Sequence, residues 1–259
     1  MNKISLLILS IFGSITFVFG AVSQEKCNTL GENFIFAGGE CIEFKAFKGE
    51  VENTINVVVH GTWKEGTNTL GRYAPFAETL VMNTDITTIA VALPGYSKSS
   101  TNKLKSLSHG GGAVYTPEYI DFIAALINEL KKKYNARTIN YMGHSAGGSL
   151  GANLVAKHPG IVNTLTAVGA RFNLDKFKEE EKKKLYSIGD NMDKVGDTKI
   201  LLVYGTADKI SEPKVTTDFY EKAKKSGLDV TLIKVEGAPH IDLDMTDTSV
   251  EAFTEMVAE

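Results

Sequence analysis

Gly143-His144-Ser145-Ala146-Gly147 sets a single hydroxyl among small residues. A serine held on a sharp turn between a buried strand and a helix is exposed and strained, and its neighbours must be small because the adjoining backbones crowd it. A glycine-rich bend that merely lets two backbones pack closely would look similar, so the pentapeptide leaves both readings open. The surroundings favour the first: an apolar run, Ile139 to Met142, precedes it, and a helical pattern from Gly148 to His158 follows. A serine hydroxyl also needs a base to take its proton, and histidine is the usual one near neutral pH. The chain has five histidines, at 60, 109, 144, 158 and 240. His240 lies in a loop after the last strand pattern, Val230 to Val235, where a base is expected. His144 adjoins the serine, but a sharp turn sends the two side chains apart. His158 ends the following helix, where the dipole accounts for it. The base in turn needs an acid to fix its tautomer. Asp208 follows the apolar run Ile200 to Tyr204 directly; Asp242 and Asp244 stay open as alternatives, although they lie close to His240 in sequence, and Asp190, Asp193 and Asp197 precede that run and fall at the wrong edge.

These residues need a scaffold that gathers strand ends. Continuous apolar runs at Ile55 to Val59, Ile89 to Leu93, Ile139 to Met142, Leu165 to Val168 and Ile200 to Tyr204 predict strands buried on both faces, as in a parallel sheet. A helix is predicted from Pro117 to Tyr134, with an apolar stripe including Tyr119, Ile120, Ile123, Ile127 and Leu130, a Thr116 cap and a lysine-rich end. Another is predicted from Glu212 to Ser226, stopped by Gly227. This alternation predicts an α/β sandwich with helices on both faces, and the more polar stretch Phe34 to Phe47 predicts antiparallel strands at the sheet's start. Ligands in such sheets bind beyond the carboxyl ends of the strands, which is where Ser145, Asp208 and His240 all fall.

The chain has 259 residues, 43% of them hydrophobic and 23% charged, which suits one globular domain spanning residues 21–259. A net charge of −3 with intermixed signs gives no basic face for nucleic acid. Residues 1–20 read as a signal peptide, with Lys3, an apolar segment from Ile4 to Phe19 and small residues before a cleavage site after Gly20. The alternative, a retained membrane anchor, is disfavoured because the apolar run is shorter than the ~20 residues a spanning helix needs. The expected location is therefore secreted or periplasmic, with no membrane attachment after removal of the leader. Cys27 and Cys41 would be free to pair in that oxidising setting. Two thiols without a nearby histidine argue against a metal, and no cofactor is called for.

The order Ser145, Asp208, His240 resembles that of the α/β-hydrolase superfamily, a likeness spanning essentially all of the chain after the leader. The resemblance implies a mostly parallel central sheet and an oxyanion hole. One donor would be the N–H of Ala146, and the other would come from His60-Gly61-Thr62-Trp63, with Thr62 ahead of Trp63. Trp63 and His144 are expected beside the substrate. Ser108-His109-Gly110-Gly111-Gly112 is similar to the oxyanion motif of some esterases but falls one unit too late; it reads as a flexible loop, with a border of the pocket as its other possibility. Leu93-Pro94-Gly95-Tyr96 reads as a structural turn. Arg171, one of three arginines, falls just past Leu165 to Val168 and either meets an anionic substrate group or is solvated. Serine at the turn excludes the aspartate chemistry of haloalkane dehalogenases and epoxide hydrolases. The chain segment Arg171 to Lys199, with its solvated helix KFKEEEKKKL, is too short and charged for an apolar lid. Together these imply a serine hydrolase acting on esters of small or short-acyl substrates. A peptidase of the same fold or a non-catalytic binding protein remains as an alternative, and the oligomeric state is left open.

Overall fold

The computed structural model describes residues 21–109 and 112–258, so the expected leader lies outside the described residues. In chain order the elements are α1 (Gln24–Thr29), β1 (Phe34–Ala37), β2 (Glu40–Phe47), β3 (Val51–Val59), α2 (Leu70–Thr84), β4 (Ile86–Val91), α3 (Pro117–Lys133), β5 (Thr138–His144), α4 (Ala146–Lys157), β6 (Thr164–Val168), α5 (Glu179–Lys182), β7 (Lys199–Gly205), α6 (Pro213–Lys225), β8 (Val230–Val235) and α7 (Asp247–Ala258). The strands form an eight-stranded sheet in the order β1-β2-β4-β3-β5-β6-β7-β8. β1 pairs antiparallel with β2, and β2 with β4, as the polar opening stretch predicts; every later pairing is parallel.

The apolar runs become strands because both of their faces are covered. On β6, Leu165 lies against Gly151 of α4, while the neighbouring Thr166 hydroxyl reaches the Met256 sulfur on α7. Alternating residues thus face opposite helical layers. α7 packs on α2 in one layer and α3 packs on α4 in the other. The Thr116 side chain caps α3 by accepting from the Tyr119 N–H, and Pro117 takes the first turn, as the sequence indicates.

One layer hides a polar row. Asn56 donates to the Thr88 hydroxyl at 3.0 Å, Asn140 donates to the Asn56 carbonyl oxygen at 3.0 Å, and the Thr164 hydroxyl donates to Asn140 at 2.9 Å. These four residues sit side by side on β4, β3, β5 and β6, in the register Thr88, Asn56, Asn140, Thr164. A slip of β3 or β5 by one residue would bury unpaired amides, so the row adds specificity to an otherwise apolar sheet.

The N-terminal segment is fastened to the sheet. Cys27 in α1 and Cys41 in β2 form a disulfide, with Cα atoms 5.6 Å apart. The fully buried Glu40 carboxylate accepts from the backbone N–H groups of Asn102, Lys103 and Leu104 and from the Ser100 hydroxyl. Asn102 exchanges hydrogen bonds with Val22, donating to its carbonyl and accepting from its N–H, each at 2.8 Å.

Two local expectations are corrected. KFKEEEKKKL forms a single helical turn, Glu179–Lys182, because Phe177 packs on Tyr115 and Leu185 packs against the core, while the acidic residues and most of the lysines stay solvated. His158 is held by a side-chain partner: its Nε2 meets the Asp121 carboxylate of α3 at 2.7 Å.

Candidate active site

At the carboxyl edge of the sheet, β5 ends at His144 and α4 begins at Ala146, leaving Ser145 alone on the turn. Its φ of 52° and ψ of −117° are costly for any residue with a Cβ. The turn is held open by neighbours. The Ser145 N–H donates to the Val168 carbonyl at 2.7 Å, and the Tyr141 hydroxyl donates to the Gly147 carbonyl at 2.8 Å. The flanking glycines are steric requirements: a Cβ on Gly147 would stand 2.3 Å from the Val59 oxygen, and one on Gly143 would stand 2.5 Å from the Gly147 backbone. That crowding is why α4 can start immediately after the serine.

His240 arrives from the loop after β8, and its Nε2 lies 2.8 Å from the Ser145 Oγ. Its Nδ1 lies 2.7 Å from Oδ2 of Asp208, just beyond β7. The other Asp208 oxygen, Oδ1, accepts from the N–H groups of Ile210 and Ser211, both at 2.8 Å. Because the Asp208 carboxylate acts as an acceptor, Nδ1 of His240 carries the proton and Nε2 is left to accept from the serine hydroxyl. Asp208 is buried and His240 nearly so, which strengthens each bond in the chain. Of the other two candidate acids, Asp242 contacts the Arg72 guanidinium and Asp244 is buried without a hydrogen bond to His240.

The loop after β3 carries the second expected donor. His60 is fully buried and spans two segments: its Nδ1–H donates to the Gly61 carbonyl at 2.7 Å, and its Nε2 accepts from the Leu93 N–H at 3.1 Å. Burial pushes its pKa down to about 4, so the ring is neutral and acts as a fixed brace. From the sequence alone His60 has no task; its place at the head of the loop expected to supply an oxyanion donor was the available signal. Beyond it, neither the Thr62 nor the Ala146 N–H donates to another described residue. Trp63 is different, because its N–H faces the Tyr96 hydroxyl at 3.3 Å and its carbonyl accepts from that hydroxyl at 2.8 Å. That engagement leaves Thr62 as the better placed of the two.

A cavity of about 330 Å³ opens over Ser145 and His240. Thr62, Trp63, Tyr115, Ala146, Arg171, Ile210 and Ile241 also line it. The Trp63 ring is steadied by the Arg72 guanidinium, 5.6 Å from its centroid. His144 borders the cavity but is 4% exposed, and its Nε2–H donates to the His240 carbonyl at 2.9 Å. Burial lowers its pKa, so this ring too is neutral and ties the His240 loop to β5. His109, in the glycine-rich loop, meets Glu65 and the Ser106 hydroxyl and does not line the cavity, although Val114 and Tyr115, a few residues on, do. A larger groove of about 760 Å³ lies at the opposite end of the strands, lined by residues such as Val51, Thr54 and Asn135, with no serine, cysteine or histidine. Among the described residues, no group of three or more His, Cys, Asp and Glu side chains comes together to hold a metal, and no helix is long and apolar enough to cross a membrane.

A strand, sharp turn and helix at the centre of this sheet, with loops after β3, β7 and β8 converging on it, define an α/β-hydrolase fold. Residues 57–190, just over half of the chain, match the family described as alpha/beta hydrolase fold, and the protein belongs to it. Solved structures of similar fold include a predicted CIB-like hydrolase from Thermoplasma acidophilum (TM-score 0.61, 18% identity, covering 88% of this chain and 97% of that one). Est1E from Butyrivibrio proteoclasticus, with ferulic acid bound, aligns with a TM-score of 0.62 at 16% identity, covering 87% of this chain and 97% of its own. The esterase Pf2001 from Pyrococcus furiosus gives 0.65 at 15% identity over 93% of each chain. No curated protein matches the chain in sequence.

Proposed function

We propose that the protein is an exported serine hydrolase that cleaves carboxylic esters of small or short-acyl substrates. The observation that carries this is the hydrogen-bonded chain from Asp208 through His240 to Ser145, ending on a strained turn under an open cavity.

Ser145 Oγ attacks the ester carbonyl while His240 Nε2 takes its proton, and the buried Asp208 carboxylate stabilises the imidazolium that results. The carbonyl oxygen gains its charge next to the Thr62 and Ala146 N–H groups, which have no acceptor among the described residues to give up first. His240 then returns the proton to the leaving alcohol, giving an acyl-enzyme. Water attacks that acyl group with His240 again as base, releasing the acid and restoring the serine. His60, braced between Gly61 and Leu93, holds the Thr62 donor in place through the reaction.

The small cavity supports the acyl-length reading, since about 330 Å³ is at the low end for ligand sites. No residue from 172 to 199 lines it, so that segment adds no apolar depth. The esterases among the fold neighbours are in keeping with an ester substrate. Export accords with the leader-like sequence of residues 1–20 and with the Cys27–Cys41 disulfide. Residues 21–259 would then be one working unit.

The test is hydrolysis of p-nitrophenyl esters from acetate to long-chain acyl groups, by the wild type and by Ser145→Ala. Activity that is highest on the short chains and absent in the variant is expected. A variant as active as the wild type would remove Ser145 from the reaction.

A further inference from the structure

Among the described residues, Arg171 is the one that lines the cavity with a permanent charge. It stands two residues beyond Gly169, whose positive φ of 57° turns the chain out of β6 and over the sheet edge. The main chain of Arg171 is clamped within the site: its N–H donates to the Ser149 hydroxyl at 2.9 Å, and its carbonyl accepts from the Tyr115 hydroxyl at 3.3 Å. Ser149 is one turn along α4 from Ser145, and its own N–H donates to the Ser145 carbonyl at 3.0 Å. The guanidinium spans from the β6 loop to the β7 loop, where one Nη2–H donates to the Ile210 carbonyl. A guanidinium has five N–H donors, so most remain for another acceptor.

No carboxylate supplies that acceptor. Among the described residues Arg171 makes no ion pair, and no aspartate, glutamate or lysine lines the cavity. Arg72, just behind the Trp63 ring, does have one, in Asp242. The Tyr115 phenol beside Arg171 is not an anion either, because burial holds its pKa up at about 12. A half-buried, anchored cation facing a reaction site without a counter-ion favours an anionic ligand group there, and the planar fork of arginine suits a carboxylate.

We propose that Arg171 binds a carboxylate carried by the substrate, so that the preferred esters are acidic ones, such as half-esters of dicarboxylic acids or esters of hydroxy acids. This rests on the ester-hydrolase reading and names its substrate class. The competing role is structural, since the bond to the Ile210 carbonyl also steadies the loop that holds Asp208.

Two matched substrate pairs separate these roles. On the acyl side, p-nitrophenyl hexanoate is compared with the p-nitrophenyl monoester of adipic acid, in which a carboxylate replaces the terminal methyl. On the alcohol side, p-tolyl acetate is compared with 4-acetoxybenzoate. Both pairs are assayed with the wild type and Arg171→Met after subtracting spontaneous hydrolysis. In one of the pairs, the wild type is expected to favour the charged member at least about tenfold more than the variant does, through KM, as a charge-assisted bond warrants. The gain shrinks in 0.5 M salt. Charged-to-neutral ratios that are the same in both proteins overturn the proposal, as does a fall in Arg171→Met that is equal on charged and neutral esters. Binding decides independently of turnover: by calorimetry with Ser145→Ala, monomethyl adipate should bind at least about tenfold tighter than with Ser145→Ala/Arg171→Met, and equal affinities refute the carboxylate site. A wild type inert on the neutral esters as well would instead count against the hydrolase reading, with the binding comparison still judging Arg171.

Discussion

The row Thr88, Asn56, Asn140, Thr164 and the chain Asp208, His240, Ser145 are both hydrogen-bonded networks of the same sheet, and they differ in what they leave over. In the row each amide gives and receives, no member is strained, and all four residues are buried. The chain ends at a strained serine beneath a cavity, with two N–H groups nearby that no described residue uses. A saturated network adds stability and register; an unsaturated one keeps capacity for charge that appears only in a reaction. Distance from the carboxyl edge separates the two: inside the sheet every group meets a neighbouring strand, whereas at the edge the loops hold groups apart.

Mutations should therefore split activity from stability in opposite directions. Ser145→Gly has the largest effect: kcat/KM on a short ester falls at least about 10⁴-fold, while the melting temperature does not drop, because glycine tolerates φ 52° and offsets the lost hydroxyl bond. A marked loss of stability in that variant would break the contrast. Next comes the His60 brace. Its pKa of about 4 in the fold lies below the usual value near 6.5, so between those pH values the unfolded chain binds the proton and the native state does not. Stability from this residue is complete above about pH 6.5 and is lost as the pH falls towards 4, by about 3 kcal/mol in all. Urea melts across that range should show a steeper fall for the wild type than for His60→Gln; equal slopes would acquit His60.

Asn140→Ala is the converse of the serine change. It strips partners from the buried Asn56 oxygen and the Thr164 hydroxyl, so unfolding free energy should fall by about 2 kcal/mol with kcat held within about twofold. A large loss of kcat would mean that the row helps to shape the site. The smallest expected change in activity is that of Cys27→Ser/Cys41→Ser, which removes a cross-link over 14 positions remote from the cavity. Thermal melts should register about 3 kcal/mol or less, with ester hydrolysis unchanged below the transition.

The sequence was most legible where one residue type has few uses. Apolar runs wide enough to be buried on both faces form β3 through β7, and a serine between small residues is legible as a turn residue from the sequence alone. Asp208 and His240 followed from lying just past strands. α2 was not legible, because Pro75 sits within its fifteen residues and proline normally signals a break. Asn56 and Asn140 passed unnoticed inside apolar runs, since their partners come from other strands and pair only after the sheet forms. The same holds for Glu40: a carboxylate beside a cysteine says nothing of a loop some sixty positions away that will supply its donors.

The clamp between Val22 and Asn102 has a bearing on how the chain weathers proteases. An aminopeptidase must draw several residues of extended backbone into its cleft. Here the backbone of Val22 is bonded on both its N–H and its carbonyl to one side chain, and five residues on the chain is cross-linked to β2. Trimming from that side should stall near Ala21, and Asn102→Ala should let it run on towards Cys27.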